Sequence, residues 1–203
     1  MSNETAVVFV VDDEAPIRRA LERLIKSAKL GVEMFASAEE YLAADPPEGP
    51  SCLVLDVKLP GLTGLELQEQ VIGTNRSMPI IFLSGRSDIS MSVEAMKGGA
   101  IEFLEKPVDD EDLLDAIHRA IERDTRDMRR RAEILKLQRC AESLTAREHE
   151  VFALIVAGLL NKQVAWQLGI SEKTVKVHRA RVMQKMEARS FANLVRMAER
   201  VLS

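Results

Sequence analysis

Cys52-Leu53-Val54-Leu55-Asp56 is a short apolar run that ends on a carboxylate. The pattern recurs along the first half of the chain. Val7-Val8-Phe9-Val10-Val11 ends on Asp12-Asp13, Ile80-Ile81-Phe82-Leu83 ends on Ser84, and Ile101-Glu102-Phe103-Leu104 leads to Lys106-Pro107. Apolar runs of this length, alternating with stretches of helical period, read as strands of a parallel sheet joined by crossover helices. In such a sheet the polar residues just past the strands gather at one edge, where sites form. Asp12, Asp13, Asp56, Ser84 and Lys106 are therefore expected to share one crevice.

Each of these residues alone has an ordinary explanation. An aspartate after a strand serves as a turn or cap residue, and an Asp-Asp pair before a helix suits the helix dipole. Together they suit one chemistry. Three adjacent carboxylates need a countercharge, and Mg²⁺ is a hard cation that binds few carboxylates plus water and phosphate oxygens. A carboxylate is a competent nucleophile toward phosphorus. Phosphoryl transfer asks the protein mainly for positioning and for cationic clamps. Lys106 is a second clamp beside the metal, and the Ser84 hydroxyl can hydrogen-bond a phosphoryl oxygen.

In this order and spacing, Asp12-Asp13, Asp56, Ser84 and Lys106-Pro107 resemble the receiver domain of two-component response regulators, over about residues 5–123. The resemblance implies a doubly wound, flavodoxin-like α/β fold with a five-stranded parallel sheet. It implies that Asp56 accepts phosphoryl from a cognate histidine kinase. Asp12, Asp13, Asp56 and the backbone carbonyl of Lys58 would hold Mg²⁺. Ser84 would be the switch hydroxyl, Phe103 the aromatic switch residue and Lys106 the phosphate-pairing lysine. It further implies that the Lys106-Pro107 bond is cis. A phosphohydrolase with an aspartyl-phosphate intermediate needs a second acid–base carboxylate. Two residues after Asp56 this chain has Lys58. The expectation is no enzyme beyond self-phosphorylation and slow autodephosphorylation.

Length and composition set the frame. The chain has 203 residues, enough for two ordinary domains. Its 46% apolar and 30% charged content suits a soluble globular protein. No apolar stretch is long enough to span a membrane. Met1-Ser2-Asn3-Glu4-Thr5 lacks the basic and apolar regions of a signal peptide. Cys52 and Cys140 lack metal or disulfide spacing, so a cytoplasmic setting is expected. The charge is unevenly split. Residues 1–123 hold 12 Lys and Arg against 23 Asp and Glu, a net of −11; residues 124–203 hold 16 against 9, a net of +7. A basic C-terminal part suits nucleic-acid binding.

Between the halves no proline or glycine interrupts the chain from about residue 110 to Leu144. One helix from about 110 to about 140 is expected, with Leu114, Ile117 and Ile121 on its apolar face and residues 124–141 as a helical linker. Leu114, Ile121, Met128 and Leu135 recur every seven residues, but Asp124, Arg131 and Gln138 fill the second heptad position, which weakens a coiled-coil reading.

Residues 142–203 read as an all-α domain of four helices. Thr145-Ala146-Arg147-Glu148 is a capping box, and the helix it opens is expected to end near Gly158. Asn161 is placed as the cap of a short helix to Leu168. Gly169 makes a tight turn, and Ser171 and Ser190 cap the last two helices. Two helices joined by so short a turn form a helix-turn-helix. At about 100° per residue, Val175, His178, Val182 and Met186 share one face of the helix near 172–186. Lys173, Lys176, Val177, Ala180 and Gln184 lie opposite, a reasonable kit for a major groove. Arg179 and Arg181 flank that face, and Lys162, Thr174 and Lys185 are placed to reach phosphates. His178 is expected to be a core histidine with a satisfied partner.

Leu144-Thr145-Ala146-Arg147-Glu148, Gly158, Asn161-Lys162 and Thr174-Val175-Lys176-Val177-His178 resemble the LuxR-type DNA-binding domain, and with the receiver a response regulator of the NarL/FixJ type. Some relatives carry lysine where this chain has Ala180, which implies a different operator. The resemblance implies a transcriptional activator, dimeric binding to double-stranded DNA, homodimerisation on phosphorylation through a face near residues 88–120, and contact with RNA polymerase. A constitutive DNA binder whose receiver is a protein-interaction module also fits the sequence.

Overall fold

Five parallel strands form one sheet: β1 (Val7–Val11), β2 (Gly31–Phe35), β3 (Ser51–Asp56), β4 (Ile80–Ser84) and β5 (Glu102–Glu105), in the order β2-β1-β3-β4-β5. This computed structural model describes residues 6–44, 49–72, 78–85 and 89–202, without the side chains of 89, 201 and 202. The Met1–Thr5 segment thus lies outside the described residues.

Strand residues alternate between two cores, as a period of two requires. Phe9, Val11, Leu53, Leu55 and Phe82 face one core, with Tyr41 of α2 (Ala38–Ala43), Leu67 of α3 (Gly64–Ile72) and Ala95 of α4 (Ile89–Lys97). Val8, Val10, Cys52, Val54, Ile81 and Leu83 face the other, with Leu21 and Ile25 of α1 (Ala15–Ser27) and Leu113 and Ile117 of α5 (Asp110–Glu142). Burial on both faces explains why β1, β3 and β4 are nearly continuous apolar runs.

The strand order places the site. From β1 the chain first winds to β2, then returns to add β3 on the other side, so β1 and β3 flank the switch point where such folds bind ligands. Val11 pairs with Leu55, so the next residues, Asp12 and Asp56, emerge side by side. At the start of α3, Gly64 donates to the Val57 carbonyl at 3.1 Å. A Cβ at Gly64 would collide with the Asp56 carbonyl oxygen, so the loop after Asp56 folds tightly only with glycine there.

Helix α5 is unbroken for 33 residues. Its buried stripe in the N-terminal unit is Leu113, Ala116, Ile117 and Ala120, while Leu114 and Ile121 are half-buried. The apolar face is thus turned by one residue from the expected one, because small alanines pack closest to the sheet. Asp124 closes that stripe. It is 3% exposed and accepts a hydrogen bond from the Ser51 backbone N–H at 2.9 Å.

The chain divides into two compact units, Met1–Met128 and Arg129–Ser203. The second unit comprises the end of α5, α6 (Ala146–Val156), α7 (Asn161–Leu168), α8 (Glu172–Lys185) and α9 (Phe191–Leu202). Its core joins Ala141 and Leu144 to Val151, Phe152, Val164, Val175, Val182, Met186 and Leu194. Thr145 and Glu148 form both halves of the capping box of α6, and Ser171 and Ser190 cap α8 and α9. Gly158 (φ 91°) and Gly169 (φ 65°) make left-handed turns open to glycine. Asn161 is not the cap of α7. It is the first helical residue, and the Gln163 side chain caps the Leu160 N–H instead, at 2.8 Å.

Candidate functional site

At the switch point, ligand oxygens of Asp12, Asp13 and Asp56 lie within 4.8 Å of one another. Asp12 and Asp56 are almost wholly buried, 1% and 6% exposed, and Asp13 is exposed. The Lys106 ammonium answers the two buried charges, donating to Asp12 Oδ2 at 2.7 Å and to Asp56 Oδ2 at 2.5 Å. Burial alone would lower the Lys106 pKa, but its bonds to Asp12 and Asp56 outweigh this and hold it above the usual lysine range. Lys106 is therefore a fixed cation.

The carboxylates are held from both sides. Asp12 Oδ1 accepts from Glu14 N–H at 2.8 Å, and Arg18 Nη1 donates to the Asp12 carbonyl. Asp56 Oδ1 accepts from Lys58 N–H at 2.8 Å. Ser84, 1% exposed, closes β4, and its hydroxyl donates to the Gly85 carbonyl at 2.9 Å. The Lys106 backbone N–H bonds the Ser84 carbonyl, so the ends of β4 and β5 are tied together. Lys106-Pro107 is cis. Phe103 is half-buried, its ring 6.3 Å from that of Phe82. Three oxygen donors around one point fit a hard divalent cation such as Mg²⁺. An apolar groove of about 530 Å³ runs beside the site, lined among others by Ile17, Leu21, Leu24, Lys106 and Pro107.

In the second unit α8 presents two opposite faces. Val175, Val182 and Met186 are buried, while Lys173, Lys176, Val177, Ala180, Arg181 and Gln184 are exposed. Val177 is 46% exposed, an apolar side chain offered to solvent between cations. Lys162 at the start of α7 is exposed, and Thr174 is half-buried with its hydroxyl on Ser171. Two expectations are corrected. Lys185 does not project outward: its ammonium bonds Glu148 Oε2 at 2.6 Å and the Ser143 carbonyl at 2.8 Å, an internal brace between α6 and α8. His178 is half-buried, but its Nδ1 is enclosed without a hydrogen-bond partner among the described residues.

Residues 8–118 match the family described as "Response regulator receiver domain", and residues 142–198 match "Bacterial regulatory proteins, luxR family". This chain is a response regulator. It is 49% identical over 194 residues to Nodulation protein W of Bradyrhizobium diazoefficiens, covering 96% of this chain and 86% of that protein. It is 40% identical over 200 residues to the transcriptional regulatory protein FixJ of Rhizobium meliloti, covering 94% of each. Among solved structures it is similar to the response regulator StyR, with a TM-score of 0.86 and 46% identity over 96% of this chain and 98% of that one.

For this response regulator the strand-end residues were found from the sequence, but several of their supports were not. Gly64 and Arg18 lacked any local signal tying them to the aspartates. Leu160 and Trp166, 69% and 87% exposed, are large apolar side chains whose exposure no sequence pattern marked. The face expected to remodel begins at residue 88, outside the described residues. Within its described part Val93 and Met96 are 46% and 47% exposed. Among the described residues no helix is long and apolar enough to cross a membrane.

Proposed function

We propose that this response regulator is a phosphorylation-controlled transcriptional activator whose phosphoacceptor is Asp56. The observation that carries the reading is the Lys106 ammonium bridging Asp12 and Asp56 beside Asp13. A carboxylate oxygen of Asp56 attacks phosphorus of a phosphohistidine. The P–N bond breaks, its electron pair stays on the imidazole nitrogen, and that nitrogen takes up a proton. Lys106 pairs with the phosphoryl oxygens that gain charge. The Ser84 hydroxyl turns from the Gly85 carbonyl to a phosphoryl oxygen. Asp12, Asp13, Asp56 and the Lys58 carbonyl would hold Mg²⁺, which when bound supplies further neutralisation of phosphoryl charge. The apolar groove beside Lys106 suits the helical surface of a histidine kinase, hydrophobic contact fixing the approach of its phosphohistidine.

Phosphorylation adds charge that the site must answer locally. Ser84 and Phe103 move with it, and the face bearing Val93 and Met96 becomes a homodimer interface. Two copies of α8 then enter successive major grooves, with Lys173, Lys176, Val177, Ala180, Arg181 and Gln184 facing the DNA and Lys162 and Thr174 near phosphates. Exposed Trp166 and Leu160 are apolar surface of the kind that engages a protein partner, here RNA polymerase. The protein works in the cytoplasm, and its only chemistry is its own phosphorylation and slow dephosphorylation.

The test compares the wild type with Asp56→Asn, with Mg²⁺ and beryllofluoride. Wild type alone should be labelled by acetyl phosphate, dimerise, bind DNA more tightly and raise transcription in vitro. Labelling retained in Asp56→Asn sinks the phosphoacceptor. Equal DNA binding by both proteins, unmoved by beryllofluoride, makes the receiver an interaction module.

A further inference from the structure

Arg179 is the charged residue of α8 that its helical position least explains. Counted from Val175 at about 100° per residue, it lies about 40° round the helix. That is beside buried Val175 and Met186 rather than with the exposed cations. It is half-buried, yet among the described residues no carboxylate pairs with it. Its supports are neutral. The guanidinium carbon sits 4.5 Å over the Phe191 ring centroid, and Nη1 donates to Asn161 Oδ1 at 3.2 Å. The aromatic face fixes the plane of the fork, and Asn161 takes one of its five N–H donors. Lys185, Arg147 and Arg200 in the same unit all reach carboxylates.

A half-buried cation held by neutral groups retains most of its need for an anion. Arg179, Phe191 and Asn161 line a shallow cavity of about 370 Å³ together with Lys162. Glu172 also borders it, but does not come within ion-pair distance of Arg179. Its α8 lining, Glu172 and Arg179, lies on the flank next to Lys176, which stands about 100° round the helix from Val175. We propose that Arg179 is a preorganised clamp for a DNA backbone phosphate, with Lys162 beside it and with Phe191 and Asn161 as positioning residues. This inference rests on the DNA-reading assignment of α8 and adds a phosphate contact from its packed edge. A planar fork suits phosphate better than an ammonium does, and phosphate contacts fix register without reading sequence.

The competing role is a strut that only ties α7, α8 and α9 together. Salt dependence separates the two, because each phosphate neutralised adds about 0.9 to the slope of log K against log salt. The probe is a mixed-sequence duplex of about 30 base pairs, long enough for many overlapping sites, titrated with the full chain. Arg179→Gln keeps a donor for Asn161 and removes the charge. The slope should fall by about 0.9 for each protomer bound while the thermal midpoint stays near wild type. Arg179→Lys should keep the slope and bind more weakly than wild type, and Phe191→Leu should behave likewise. An unchanged slope in Arg179→Gln overturns the clamp and leaves a strut, even if affinity drops. A slope that falls in Arg179→Gln and returns in Arg179→Lys supports the clamp, whatever their thermal midpoints. If wild type binds no duplex at all, the DNA-reading assignment itself fails and takes the clamp with it.

Discussion

The two units of this chain handle charge in opposite ways. In the receiver two carboxylates, Asp12 and Asp56, are buried at strand ends and already answered: Lys106 bridges them, and backbone N–H groups cap both. In the DNA-binding unit Lys173, Lys176 and Arg181 stand exposed along α8, while Lys185–Glu148 is turned to holding two helices together. The difference follows from what each must meet. A phosphoryl group is small, and a pocket must surround it with fixed dipoles and cations. A DNA duplex is large and polyanionic, and a convex helix must offer it unspent charge. A response regulator therefore needs one unit that is electrostatically closed and one that is open.

The sharpest way to break the closed unit is Lys106→Ala. It leaves two nearly buried carboxylates facing each other without a countercharge. Breaking a buried pair costs about 3–5 kcal/mol, but Lys106 keeps some contact with solvent, so roughly 2–3 kcal/mol is expected after screening. Denaturant unfolding of the receiver transition in the full chain measures it. Millimolar Mg²⁺ should restore more stability to the variant than to wild type, since the cation then meets uncompensated charge. A variant as stable as wild type without Mg²⁺ would mean that the site is not closed at all.

A smaller break tests whether closure extends to the opposite end of the sheet. Asp124 accepts from Ser51 N–H while almost fully buried. Burial, with the Asp124 charge as a lesser cause, pushes the nearby Cys52 thiol well above its ordinary range, so that thiol stays neutral. Asp124→Ala strands a buried N–H and should cost about 1–2 kcal/mol. Asp124→Asn keeps an acceptor and should recover most of that in the same unfolding measurement. Equal losses in the two variants would assign the effect to the carboxylate charge rather than to the hydrogen bond.

The same contrast explains what could be read from the sequence. Strand ends were legible because β1, β3 and β4 are buried on both faces and so are written as unbroken apolar runs. β2 is an edge strand, Gly31–Phe35, with Glu33 at its centre and four of five residues only half-buried. Its place came from the family resemblance, not from the pattern. The capping box at Thr145 was legible because both its bonds are local. Asp124 and Lys185 were misread for one reason: each is defined by a partner far away in sequence. Asp124 looked like a polar interruption of a heptad until Ser51, 73 residues away, supplied its N–H. Lys185 looked like a phosphate contact until Glu148, 37 residues away, claimed its ammonium.

That last pair gives the mildest test, because it probes closure inside the open unit. Glu148 is 2% exposed and accepts from Lys185, from Thr145 N–H and, through its own N–H, sits on the Thr145 hydroxyl. Its bond to Lys185, with help from Thr145, carries its pKa from the ordinary 4.5 down to about 2. A carboxyl whose pKa is lower folded than unfolded stabilises the fold fully above the unfolded value. The stabilisation is lost as the pH falls toward the folded value. The DNA-binding unit should therefore hold its thermal midpoint down to about pH 4.5 and lose it progressively toward pH 2. Glu148→Gln should start lower at neutral pH and show a flatter acid limb, with the two curves converging near pH 2. Parallel curves would mean that Glu148 does not carry the acid sensitivity. Lys185 would then be as free as the cations on the exposed face of α8, and the division between bracing and DNA-facing charge would fail within that unit.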